Sequence, residues 1–189
     1  SFEDVILFGV APDKGLYLPD SITLENLTYL TQEDLSYEDF VKTIFIALDK
    51  ASAPYVEGLS LYPGFDGSPE PKLIEVDDTT LVMELFHGPT KSFKDYALQP
   101  LGAIADKRLT ELGERGLVIV ATSGDTGSAA IEAVKDSENI DIVVLHPANK
   151  ISEYQRKQMT SVIKDNVLNI AINGSYDDCQ RLAKELLQE

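Results

Sequence analysis

The sequence predicts an α/β fold: a parallel sheet with flanking helices, preceded by a mixed α/β N-terminal region. Two observations predict it. Short apolar runs at 118–121, 140–145 and 167–172 lack polar alternation, as strands covered on both faces do. Each is followed by a helical pattern, so strand and helix alternate along the second half of the chain. Right-handed crossovers in such a sheet bring the strand ends to one edge, where ligands gather.

The elements follow in order. Asp13-Lys14-Gly15 and Leu18-Pro19-Asp20 mark turns. Ser36 with Asp39 reads as a helix start, followed by Phe40, Val41, Ile44, Phe45 and Leu48 at helical spacing. Prolines and glycines interrupt regular structure from 53 to 71. Residues 81–86 read as a strand, and a helix capped by Ser92 and Asp95 begins just beyond it. After the strand 118–121 comes a glycine-rich turn and a helix over 129–135. Ser152 with Gln155 and Ser175 with Asp178 start the last two helices, the final one carrying Cys179, Leu182, Ala183 and Leu186 on one face. Two regions are expected: 1–80, mixed α/β, and 81–189, a lysine-bearing segment with a small substrate-binding α/β domain.

With 189 residues the chain can bury a substantial core. Its net charge of −16 disfavours nucleic acid and anionic lipid as partners. No apolar run spans a bilayer, and the opening residues lack the basic region of a signal peptide. The one cysteine, Cys179, has no intrachain partner, which suits a reducing, cytoplasmic setting.

Two loops carry the chemistry. In His87-Gly88-Pro89-Thr90-Lys91-Ser92-Phe93-Lys94-Asp95, Lys94 falls in a first helical turn, where the macrodipole disfavours a cation. A lysine there for stability alone belongs at the other end; the competing reading is a solvated lysine, with His87 a turn residue and Lys91 an exposed charge. In Thr122-Ser123-Gly124-Asp125-Thr126-Gly127-Ser128, glycines and a helix N-terminus offer N–H groups to a carboxylate or phosphate. The competing reading is a turn capped by Asp125 or Ser128. Asp125-Thr126-Gly127-Ser128 also spells an aspartic-protease motif, but no second copy exists and a helix follows.

Taken together these segments resemble the threonine synthase family. Residues 85–95 look like its pyridoxal-phosphate lysine motif and 121–128 like its substrate loop. Residues 9–19 look like its N-terminal signature, with Lys14 where glycine is usual, and Gln155-Arg156-Lys157-Gln158-Met159 is a further match. The resemblance implies the fold of type II pyridoxal-phosphate enzymes and conversion of O-phospho-L-homoserine and water to L-threonine and phosphate. Lys94 would hold pyridoxal 5'-phosphate as a Schiff base, with Phe93 and Asp125 beside it. Ser123, Gly124, Asp125, Thr126 and Gly127 would cradle the substrate, with Lys91 or Arg156 near its phosphate. Pro100 departs from the family pattern and should kink the helix or start a new one. The family's loop for the cofactor phosphate lies beyond position 189, so the chain reads as a fragment. Alternatives are a related phospholyase and a non-catalytic anion-binding α/β module.

Overall fold

A computed structural model describes residues 1–9, 11–13, 15–19 and 35–187. Helix α1 (Phe2–Phe8) opens the chain, fastened by a reciprocal cap between Ser1 and Asp4 that the sequence reading did not find. The Asp13–Gly15 turn is closed by the Ala11 N–H donating to the Gly15 carbonyl at 3.1 Å; Val10, Lys14 and Asp20 lie outside the described residues. Helix α2 (Tyr37–Leu48) starts at Ser36, whose hydroxyl accepts from the Asp39 N–H as expected. A 3-10 turn (Lys50–Ser52) follows, and the short helix α3 (Ala53–Val56) opens the proline- and glycine-rich stretch.

Strands β1 (Lys72–Asp77) and β2 (Thr80–Glu84) form an antiparallel hairpin. This corrects the strand expected at 81–86, which is shorter and lies outside the parallel sheet. The hairpin forms because Asp77 Oδ1 accepts from both the N–H and the hydroxyl of Thr79, which turns the chain in two residues. Leu73, Ile74, Val76, Leu81, Val82 and Met83 are all exposed on it.

Helix α4 (Asp95–Leu112) leads to β3 (Gly116–Ala121), α5 (Asp125–Val134), β4 (Ile140–Pro147), α6 (Glu153–Thr160), β5 (Val167–Ile172) and α7 (Tyr176–Leu186). The three strands are parallel in the order β3-β4-β5. On one face Ile140, Ile142 and Val144 pack against Ala130, Ile131, Val134, Leu109 and Met159 from α4, α5 and α6. On the other, Leu145 packs with Cys179 and Ala183 of α7. Cys179 is fully buried, and burial pushes its thiol pKa up. A separate cluster joins Phe2, Tyr55, Val56, Leu61 and Tyr62 to Ile104 of α4, fastening the N-terminal region to that helix.

Two further expectations need correction, and a third is narrowed. Helix α5 begins at Asp125, four residues before position 129, because Thr122 caps it from outside (below). Helix α4 begins at Asp95 with Lys94 at its N-cap, and the Ser92 hydroxyl accepts the Lys94 N–H and donates to Asp125, so it takes no N–H from inside the helix. No new helix starts at Pro100, which sits inside α4. Proline removes the N–H that would bond the Tyr96 carbonyl, and the Tyr62 hydroxyl donates to that carbonyl instead, at 3.2 Å.

Candidate active site

Two loops meet at the carboxyl edge of the parallel sheet. The first is knotted by Asp95, which is fully buried. Its carboxylate accepts from the Thr90 N–H at 2.9 Å and from the Thr90 hydroxyl at 2.7 Å. Gly88 makes the knot possible, because a Cβ there would lie 2.7 Å from the Asp95 Cβ. Burial pushes the Asp95 carboxyl pKa up, against the two bonds from Thr90. Asp95 thus has a loop-closing role and makes no reciprocal cap with Ser92.

Lys94 is held at the N-cap of α4 by successive turn bonds, its own carbonyl accepting from Ala97 and Leu98. Its ammonium lies 4.4 Å from the centre of the Phe93 ring and 2.9 Å from Asp125 Oδ1. Asp125 is the first residue of α5, where a negative charge is favoured. The unfavourable field that α4 imposes on Lys94 is therefore met by a carboxylate. Burial pushes the Asp125 pKa up, but the Ser92 hydroxyl and the Lys94 ammonium outweigh it and hold the carboxyl below its ordinary range.

In the second loop the cap is Thr122, a residue the sequence reading passed over. It is buried, and its hydroxyl oxygen accepts from the N–H of Gly124 at 3.1 Å and of Gly127 at 3.2 Å. The Ser123 and Thr126 N–H groups take no partner among the described residues. Gly127 is required by packing, since a Cβ there would lie 2.8 Å from Thr122 Cγ2 and 3.0 Å from Val144 Cγ1.

Helix α6 ties the two loops together, which gives the Gln155–Met159 motif a physical reading. The Gln155 amide packs over Gly124, where a Cβ would approach it to 2.9 Å. The Gln158 amide donates to the Thr90 carbonyl at 2.9 Å, and Met159 is buried beneath Gly127. Arg156 is exposed, as is Lys91, which holds a left-handed φ of 65°. His87 pairs with Glu84 at 2.6 Å on the hairpin side of the loop.

The fold and site define an α/β domain that sets a carboxylate-paired lysine beside a helix N-terminus with N–H groups unpartnered among the described residues. Residues 1–50 match the family described as "Threonine synthase N terminus". Over 97% of its length the chain is 44% identical to the threonine synthase of Pseudomonas aeruginosa, spanning 40% of that protein. It is 36% identical over its whole length to Threonine synthase-like 2 of Xenopus laevis, spanning 41% of it. A crystal structure described as PLP-bound threonine synthase from Brucella melitensis superposes on all of the chain and 42% of its own, with a TM-score of 0.84 and 37% identity. The chain is thus similar to threonine synthases over nearly all of its own length, and it spans about two-fifths of the length of the relatives it matches.

Proposed function

We propose that the chain supplies the cofactor lysine and the substrate loop of a threonine synthase, a pyridoxal-phosphate lyase that converts O-phospho-L-homoserine and water to L-threonine and phosphate. The observation that carries this reading is the 2.9 Å pair between Lys94 and Asp125, which joins the two motif-bearing loops across 31 residues of sequence. The donor set suits the cofactor: an amine at an open edge, an aromatic ring beside it and N–H groups without partners. Pyridoxal phosphate, when bound, supplies an electron sink for bond breaking at the substrate's amino-acid centre.

The chain's own residues have distinct parts. Lys94 offers the amine that holds the cofactor and moves protons, Phe93 flanks that amine, and Asp125 is its counter-charge. The Ser123 and Thr126 N–H groups, at the positive end of α5, receive the substrate carboxylate. Gly124 and Gly127 contribute by shape, because Thr122 already takes their N–H groups. The hairpin of β1 and β2 straddles the proposed division between 1–80 and 81–189. A cytoplasmic setting accords with the buried, unpaired Cys179.

Borohydride reduction of the full-length protein, followed by peptide mapping, tests the reading. A pyridoxyl label on Lys94 is expected. A label on another lysine overturns the assignment, and no label at all favours a non-catalytic anion-binding module. Product analysis with O-phosphohomoserine then separates threonine formation from simple loss of phosphate, the phospholyase alternative.

A further inference from the structure

Ser92 is linked to Lys94 at both ends, directly at the backbone and through Asp125 at the ammonium. Its hydroxyl oxygen accepts the Lys94 backbone N–H at 3.2 Å. Its proton goes to Asp125 Oδ2 at 2.5 Å, and the other oxygen of that carboxylate meets the Lys94 ammonium at 2.9 Å. The result is a closed ring: Lys94 N–H, Ser92 hydroxyl, Asp125 carboxylate, Lys94 ammonium. Ser92 itself is 5% exposed.

The ion pair alone does not account for this order. The Lys94 and Asp125 side chains are 27% and 42% exposed, and pairs in such surroundings fix a long side chain weakly. A short bond from a buried hydroxyl removes the freedom of the carboxylate to turn away. Lys94 is the charged group facing Asp125; the neighbouring Gln155, from α6, is neutral.

We propose that Ser92 is a positioning residue for Lys94: it fixes the Asp125 carboxylate as the berth that holds the lysine whenever its amine is free. The proposal rests on the reading of Lys94 as the cofactor lysine. It also assigns Asp125 to the lysine and leaves the substrate carboxylate to the Ser123 and Thr126 N–H groups. A reaction that repeatedly releases and recaptures its lysine needs such a berth to keep the amine within reach.

The test uses the full-length protein freed of cofactor. Reductive methylation is followed residue by residue by peptide mapping, with exposed Lys91 as internal reference. Ser92→Ala is expected to raise the Lys94 rate roughly threefold, the size of a half-exposed ion pair, with Lys91 unchanged. Ser92→Thr should restore protection, Asp125→Asn should match or exceed the alanine effect, and the double variant should add nothing further. In parallel, carbon NMR of the Asp125 carboxyl should show its titration midpoint rising in Ser92→Ala. Should alanine unfold the loop, Ser92→Cys keeps the size, weakens the donor and is expected to shift both readouts the same way. An unchanged Lys94 rate and Asp125 midpoint, or additive effects in the double variant, overturn the proposal and leave Ser92 a turn residue. Failure of the cofactor reading shows separately, as a borohydride label away from Lys94.

Discussion

Thr90 and Asp95 show what single residues do for this site. Asp95 is a buried carboxylate whose folded pKa is raised by burial and restrained by two donors from Thr90. Between the ordinary carboxylate value and that raised value, the folded chain binds more protons than the unfolded one. Stability from this group is therefore fully present at lower pH and falls as pH rises through that window. Thr90→Val keeps the shape and removes the hydroxyl donor, leaving a charged acceptor one bond short. The expected loss is about 2 kcal/mol at neutral pH. It should shrink in acid, where Asp95 takes up a proton, and thermal melts of both proteins across the acidic range read the difference. A gap in melting temperature that stays constant with pH would show that the lost bond is not to a charged group. The sequence pattern singled out Lys94 and Asp125 as candidates, but not their pairing. Ser92 and Asp95 are spaced three apart like a local cap, yet each takes its strongest partner elsewhere: Asp125 for Ser92, Thr90 for Asp95. Short-range spacing cannot reveal that kind of competition.

Among elements, the strands of the parallel sheet were the most legible, because their apolar runs admit polar residues only singly, at Asp141 and Asn169, although Leu117, Leu168 and Ile170 are exposed. The 167–172 strand forms as read, and the other two extend only a little further. Strand β1 was hidden because Lys72, Glu75 and Asp77 break its apolar pattern and proline-rich sequence precedes it. Helix α4 was only partly legible, since the sequence shows the defect at Pro100 but not its repair. Tyr62, 5% exposed, supplies the donor that Pro100 removes. Burial pushes the Tyr62 pKa far up, so it remains a donor at any working pH. One residue pair along, the Gln99 side-chain oxygen accepts the Gly64 N–H at 3.2 Å, so the 62–64 segment clamps the first turns of α4. Tyr62→Phe should then cost about 1–2 kcal/mol by stranding the Tyr96 carbonyl. Introducing Pro100→Ala returns a helical N–H to that carbonyl, so the Tyr62→Phe penalty should fall in its presence. Equal penalties in the two backgrounds, measured by denaturant unfolding, would separate Tyr62 from the proline.

At the scale of the whole chain, the opposing charges act over different distances. Acidic residues number 32 and basic ones 16, so the surface as a whole repels itself. The close pairs behave otherwise: Lys94–Asp125, Lys135–Glu132, Lys164–Asp136 and Arg181–Glu185 all lie within 2.9 Å. The screening length is about 30 Å at 0.01 M salt and about 10 Å at 0.1 M. Salt added over that range removes repulsion between distant carboxylates and barely reaches a pair in contact. The melting temperature should therefore rise as salt increases from about 0.01 M to about 0.1 M, and then level off. A fall over the same range would mean that local pairs outweigh the general repulsion. The same physics bears on the proposed function. Under that proposal a phosphorylated amino acid approaches a surface of its own sign, so its attraction has to be local, from the N-terminus of α5. Salt that relieves the general repulsion should leave that short-range attraction at the Ser123 and Thr126 N–H groups largely intact.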